Sequence, residues 1–351
     1  MVDLSFYNNK IVLVTGHTGF KGTWLCKILL QAGAKVIGYS IDKPTQQALY
    51  DFSKIDRQII SIMGDIRDYE HLQKVFDTYH PELVFHLAAQ PIVRESYVNP
   101  KYTYETNVLG TVNVLECVRK STSVKSVLNV TTDKVYENKD EYNHPFSEEE
   151  PLDGYDPYSN SKSCSELVTH SYKKSFLDDM GIAVSTARAG NVIGGGDFAK
   201  DRIIPDCVRA IEANEEIKIR NPKSTRPYQH VLEPLFVYLE IVEKQYNDKS
   251  FAGYYNVGPD DCDCVNTGEL VDMFCKNWGD SLSYIVIANI GPHEAGFLKL
   301  DNSKIKRVFK WSPRWHINEA ISKIIEWTKV YLKDKEMIPE EMDREIQEYL
   351  R

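Results

Sequence analysis

A short β-branched run, Lys10-Ile11-Val12-Leu13-Val14-Thr15, leads straight into Gly16-His17-Thr18-Gly19-Phe20-Lys21-Gly22, and this junction restricts the fold more than any other stretch of the 351 residues. A run of that kind marks a strand buried on both faces. The pattern after it predicts a helix from Thr23 to Ala32, closed by Gly33, and a second strand from Lys35 to Ser40. Strand, helix and strand in about 30 residues is a right-handed crossover unit. Glycines at 16, 19 and 22 allow a tight turn and a close backbone approach to an anion. The helix that follows offers its unpaired N–H groups to the same anion. Asp42 stands 20 residues beyond Gly22, where a carboxylate accepts from the adenosine ribose hydroxyls and repels a 2′-phosphate. The expected cofactor is therefore NAD rather than NADP, although Lys43 beside it offers a cation to such a phosphate.

The same alternation continues. Strands are expected at Gln58–Met63, Leu83–Leu87, Val127–Thr131 and Ala183–Ala187, with helices at Glu70–Tyr79, Tyr104–Lys120 and Ser159–Phe176 between them. That is an α/β chain with a Rossmann-type, doubly wound parallel sheet. After about Asn191 the pattern becomes irregular, with glycines at 194–196 and prolines at 205, 222, 227 and 234. This half reads as a smaller C-terminal α/β lobe over the carboxyl ends of the strands. The expected division is a cofactor-binding domain at 1–190 with a returning segment near 229–258, and a substrate lobe at 191–228 and 259–351. Residues 336–351 read as a charged amphipathic helix. On this sheet, Asp65 and Ile66 would flank the adenine, Leu87, Ala88 and Ala89 would let the cofactor lie against a strand end, and Asn107 would open a helix at the site.

Several function classes drop out on charge and composition. The net charge is −9 with Lys and Arg scattered, which excludes nucleic acid as the expected partner. No stretch approaches the about 20 apolar residues of a membrane span, so no membrane partner is expected. The polar first ten residues carry no signal-peptide core. Seven cysteines at irregular spacing read as free thiols of a reducing cytoplasm. Asp260-Asp261-Cys262-Asp263-Cys264 reads as a solvated loop, and no metal is expected.

Two motifs carry the chemistry. Tyr158-Ser159-Asn160-Ser161-Lys162 places Tyr158 and Lys162 on one face of a helix. An ammonium near a phenol favours the phenolate, so Lys162 is expected to lower the Tyr158 pKa from its usual ~10 and to hold the nicotinamide ribose. Thr131-Thr132-Asp133-Lys134 ends a strand 26 residues before Tyr158. Polar residues there face the crevice, so Thr132 can share the hydrogen bond of a substrate hydroxyl, and Asp133 with Lys134 forms an acid/base pair.

With these residues the chain resembles the extended short-chain dehydrogenase/reductases that modify nucleotide sugars, and within them the CDP-glucose 4,6-dehydratase family. The likeness is carried by residues 16–22, 88–91, 132–134, 155–162, 188–197, 226–234 and 292–295. It covers nearly the whole chain, with small departures at Thr23, Phe198 and Tyr228. The resemblance implies an internal redox cycle on a nucleotide glucose: oxidation at C4 with NAD, loss of water across C5 and C6, and return of hydride to C6. It implies Tyr158 as the C4 base, Asp133 as the acid for the C6 hydroxyl, and Lys134 as the C5 base or the charge that stabilises the enolate. For the substrate it implies Gln90, Arg94, Arg188, Asn191, Arg202, Arg220 and Arg226, with His230, His293 and Glu294 at the nucleotide end or the phosphates. It also implies a homodimer or homotetramer through a helix bundle built from 104–120 and 159–176. Three other readings stand beside it: a nucleotide-sugar 4-epimerase, a dehydratase of another nucleotide sugar, and a non-catalytic NAD-binding protein.

Overall fold

Seven parallel strands form the central sheet: β1 (Ile11–Thr15), β2 (Lys35–Ser40), β3 (Ile60–Met63), β4 (Leu83–His86), β5 (Ser126–Thr132), β6 (Ala183–Ala189) and β7 (Tyr254–Val257). Their spatial order is β7-β6-β5-β4-β1-β2-β3, with the order reversing between β1 and β4. Such a reversal opens a crevice at the carboxyl ends of the two strands. The computed structural model describes residues 2–139, 141, 143–279, 282–288 and 296–351.

Alternation along the strands sends side chains into two separate cores. Val12 and Val14 of β1 face one layer, made with α1 (Phe20–Gln31), α6 (Leu232–Asn247) and α9 (Ile338–Leu350). Leu13 faces the other, against α2 (Tyr69–Tyr79) and α3 (Gly110–Lys120), with Val168 and Tyr172 of α4 (Pro157–Tyr172) packed on it. A third apolar cluster joins α5 (Ile203–Ala213), α7 (Thr267–Trp278) and α8 (Ile317–Lys333) through Ile204, Cys207, Leu270, Phe274, Ile321 and Ile324. The irregular stretch after Asn191 resolves into short pairs, among them Val192–Ile193 with Gln229–His230 and Ile217–Ile219 with Tyr284–Val286. No helix among the described residues is long and apolar enough to cross a membrane.

Two elements differ from the sequence expectation in an informative way. The first helix begins at Phe20, not Thr23. Gly22 therefore lies inside its first turn, where a Cβ would sit 2.1 Å from the carbonyl oxygen of Gly16, so only glycine lets the helix start this close to the strand. The helical run 100–120 contains a π turn at Glu105–Leu109, and α4 runs on into another at Lys173–Leu177. Asn107 thus lies within a helix rather than opening one.

The α9 helix carries a destabilising feature. Glu345 is fully buried, and neither carboxylate oxygen has a hydrogen-bond partner. Burial, with the Glu341 charge behind it, holds its pKa well above the carboxylate range. The unfolded chain ionises this group near pH ~4.3, so stability is full below that pH and falls as pH rises toward the folded pKa. Glu345→Met is expected to stabilise the fold by about 1–3 kcal/mol at pH ~8 and by less at pH ~5. Thermal unfolding at the two pH values checks this; an equal gain at both contradicts it.

Candidate active site

The crevice at the switch point is a continuous cleft of about 1930 Å³. That is about twice the upper range for a single small-ligand pocket, room for two extended ligands side by side. One half is walled by Gly16, Thr18, Gly19, Phe20, Lys21, Gly22, Asp42, Asp65, Ile66, Leu87, Ala88 and Ala89. Gly19 caps α1 without any side-chain hydrogen bond, so the first amides of the helix open on the cleft unpaired. The Thr18 hydroxyl donates to the Asp42 carbonyl at 2.6 Å and fixes the loop that carries that carboxylate. Lys43, the cation that blurred the choice of cofactor, is turned to both oxygens of Asp51 at 3.1 Å. The donor set fits a dinucleotide: unpaired amides for a pyrophosphate, and a carboxylate for an unphosphorylated ribose. Asp65 is held by Arg67 at 2.6 Å.

A second cluster of polar side chains lies at the end of β5. Asp133 is buried; its Oδ1 accepts from the Thr132 hydroxyl at 2.9 Å and from Lys134 Nζ at 3.2 Å. Lys134 Nζ also donates to Asn191 Oδ1 at 3.5 Å. The other oxygen, Asp133 Oδ2, has no partner in the wall of the cleft. Gly190 makes room for it, since a Cβ there would lie 2.8 Å from that oxygen. The Thr132 hydroxyl acts on the Tyr158 phenol in the direction that favours its ionisation. Tyr158, Thr132, Asp133 and Lys134 therefore form one polar chain facing a common space.

Electrostatics runs against the expected lowering of the Tyr158 pKa by Lys162. Its Nζ donates to the Val130 carbonyl at 3.1 Å, and it does not line the cleft. Burial and the Lys21 charge push Lys162 down to about 7. Tyr158 moves up to about 12 rather than down, because burial dominates and the Asp133 charge adds to it. The groups that oppose this rise are the Thr132 hydroxyl and the Arg202 guanidinium. Lys21 is pushed down to about 8 by burial and Arg202, and feels the charges of Asp133 and Asp197 as well.

Further corrections follow from burial. Arg188 is fully buried and absent from the cleft. Its Nη2 and Nε meet Glu166 at 3.0 and 3.1 Å, and its Nη1 donates to Tyr136 Oη at 2.8 Å. Burial alone would raise Glu166; the Arg188 charge and hydrogen bonds from His170, Arg188 and Thr131 overcome it and hold the carboxyl at about 2. Arg188 is thus a core ion pair and not a phosphate ligand. Arg188→Leu is expected to cost about 3–5 kcal/mol by stranding the Glu166 charge. Urea unfolding checks this, and unaltered stability with weakened substrate binding contradicts it. His230 is likewise buried, packed edge-on against Trp315, with Nδ1 accepting from the Leu232 amide. Asn107 is buried and clamps the Gln90 backbone at 2.8 and 3.1 Å while donating to Ser161 Oγ, so it shapes the loop after β4 instead of meeting the cofactor. The Gln90 amide is engaged with Thr103 and Ile92, leaving it as a loop brace at the cleft wall.

Arg94, Asn191, Arg202, Arg220 and Arg226 do line the other half of the cleft. Arg202 is paired with Asp197 at 2.9 Å and Arg220 with Asp201 at 2.7 Å. Sequence reasoning missed Asp197, buried at the end of the glycine cluster, and Arg209, which also lines the cleft. The signal for Asp197 was its position directly after Gly194–Gly196. His293 and Glu294 lie outside the described residues. Among the described residues, Cys262, Asp263 and His316 bring possible metal ligands within 4.8 Å of one another. Asp263 is already engaged there, accepting from the Ile317 amide at 2.9 Å and paired with His316 at 2.8 Å, which is a helix cap for α8.

The family model described as GDP-mannose 4,6 dehydratase matches residues 13–324. The CDP-glucose 4,6-dehydratase of Salmonella typhimurium is 44% identical over 356 aligned positions, spanning 100% of this chain and 99% of that relative. Among solved structures, the dTDP-glucose 4,6-dehydratase of Bacillus anthracis in complex with NAD superposes with a TM-score of 0.76 at 23% identity, covering 93% of this chain and 98% of that one. The UDP-glucose 4-epimerase of Thermotoga maritima with UDP-glucose gives 0.80 at 21% identity, covering 92% and 99%. The last two likenesses establish the shared fold.

Proposed function

The chain belongs to the GDP-mannose 4,6 dehydratase family, and from that membership we propose that it converts CDP-glucose to CDP-4-dehydro-6-deoxyglucose and water with NAD as cofactor. The observation that carries this reading is the polar chain Tyr158–Thr132–Asp133–Lys134, with a bare carboxylate oxygen at its centre. The chemistry NAD supplies when bound is acceptance of hydride from C4 and its return to C6. Tyr158 takes the C4 hydroxyl proton, steadied by the Thr132 hydroxyl. Asp133 Oδ2 gives a proton to the departing C6 hydroxyl. The Asp133–Lys134 pair takes the C5 proton in exchange, so it ends the elimination with the proton count it began with; when hydride returns to C6, C5 takes a proton from solvent, and the proton held by Tyr158 passes to solvent. Lys134 Nζ donates to both Asp133 and Asn191, a placement suited to stabilising the C5 enolate. A 4-epimerase has no use for an acid at C6, so the orphaned Asp133 oxygen weighs against that alternative. Arg94, Arg202, Arg209, Arg220 and Arg226 supply the forked donors for the substrate pyrophosphate.

Cytidine as the base rests on the 44% identical relative. The glycine turn, the unpaired helix amides and Asp42 support NAD. Asp42→Ser is expected to raise the KM for NAD about tenfold and to narrow the preference over NADP, because one charge-assisted contact is lost. Kinetics with the two cofactors measures this, and an unchanged ratio contradicts it. The seven cysteines are all unpaired, which supports a reducing, cytoplasmic setting. Exposed Leu109, Leu167 and Phe176 on the two π-containing helical runs support self-association through a helix bundle.

Incubation with NAD and, in parallel, CDP-, UDP-, dTDP- and GDP-glucose tests the proposal by product mass. Loss of one water from CDP-glucose alone supports it. Unchanged mass in every arm refutes the dehydratase reading, and an NMR spectrum showing an isomer of equal mass replaces it with the epimerase.

A further inference from the structure

The loop after β2 does more than carry Asp42. Residues Asp42 to Leu49 line the cofactor half of the cleft and then reach the C-terminal lobe. There the fully buried Tyr331 of α8 places its hydroxyl 2.9 Å from Gln47 Oε1 and 3.1 Å from Glu212 Oε1 of α5. Lys335 Nζ donates to the same hydroxyl at 3.2 Å. One phenol proton serves one acceptor, and the carboxylate is the stronger. The Gln47 amide is then best satisfied with its NH2 group turned to donate to the phenol oxygen.

The contact is backed by packing. The Tyr331 ring meets Phe52 at 5.6 Å, Phe198 at 5.3 Å and Trp327 at 5.4 Å between centroids. Phe198 directly follows Asp197, the partner of Arg202 beside Tyr158. Leu49, at the far end of the loop, fills the space over Gly196. The loop that borders the adenosine site is thus fastened to the segment that borders the reacting centre, and the hydroxyl of Tyr331 is the polar fastening.

We propose that Tyr331 is a positioning residue that latches the 43–48 loop over the adenosine half of the cofactor and slows cofactor release. The inference rests on the cofactor reading above. In that reaction the cofactor ends each turnover in the redox state in which it began, so turnover does not require it to leave, and a latch carries no kinetic penalty.

Tyr331→Phe keeps the ring and its packing and removes only the hydroxyl. Stopped-flow displacement of NADH from the full-length protein, followed by its fluorescence, measures release without any sugar substrate. Release is expected to quicken about tenfold, the equivalent of ~1.4 kcal/mol. The KM for NAD should rise by a similar factor while kcat at saturating NAD holds, and the melting temperature without cofactor should hold. Gln47→Ala should quicken release as well, and the double variant should add little to either single change. Unchanged release in Tyr331→Phe overturns the latch, as does a fall in melting temperature matched by equal losses in kcat and binding. If the unmodified protein binds neither NAD nor NADH, the cofactor reading fails and the latch falls with it; if it binds them but dehydrates no sugar, release rates still decide the latch.

Discussion

Tyr158→Phe will turn over CDP-glucose about 10²–10⁴-fold more slowly, with nucleotide-sugar binding preserved. The size follows from what the phenol does in this cleft. Burial and Asp133 hold it at about 12, so it must first lose its own proton to solvent before it can take the C4 hydroxyl proton. The groups that ease that loss are the Thr132 hydroxyl and Arg202, a nearby charge anchored by Asp197. A phenylalanine fills the same volume and leaves Thr132 bonded to Asp133, so the fold and the pyrophosphate site persist. Steady-state kinetics with isothermal titration of CDP-glucose separates the two effects. A variant that loses binding and turnover together contradicts the assignment.

Lys134→Ala will separate the two halves of the reaction. In the proposed cycle, oxidation at C4 depends on Tyr158 and Thr132, which Lys134 touches only through its own backbone amide and through Asp133. Elimination depends on the Asp133–Lys134 pair, so loss of the ammonium removes the charge that stabilises the enolate. In a single turnover the 4-keto sugar should still form, while the dehydrated product falls by about 10²–10³-fold. Rapid quench with mass analysis of the sugar reads both species. Full dehydration by Lys134→Ala removes Lys134 from the mechanism, and loss of the 4-keto sugar itself moves it to the oxidation step.

Local patterns in the chain revealed the parts of the site that are local in sequence. The strand-to-helix glycine turn, the Tyr158–Lys162 spacing and the strand-end Thr132–Lys134 cluster each report on a backbone conformation within a few residues. The sheet was legible for the same reason, since β1 is a β-branched run and β5 carries Val127, Leu128 and Val130. What the sequence hid depends on partners far along the chain. Arg188 was expected in the cleft with the other candidate ligands of the substrate pyrophosphate; its partner Glu166 is 22 residues away on α4. His230 and Asn107 are buried polar groups whose acceptors and donors come from other elements. Lys162 sits where the motif predicted, but its ammonium faces the Val130 carbonyl, and that direction is a tertiary fact. Tyr331 and Gln47 are 284 residues apart, and no periodicity connects them.

The central claim is an internal transfer: hydrogen leaves C4 and returns within the same sugar to C6. CDP-glucose carrying deuterium at C4, incubated with the protein and NAD without any external reductant, tests it most directly. The account predicts one water lost and the deuterium retained on C6 of the product, with C5 carrying hydrogen from solvent. Deuterium released to solvent, or product formed with unlabelled C6, contradicts it.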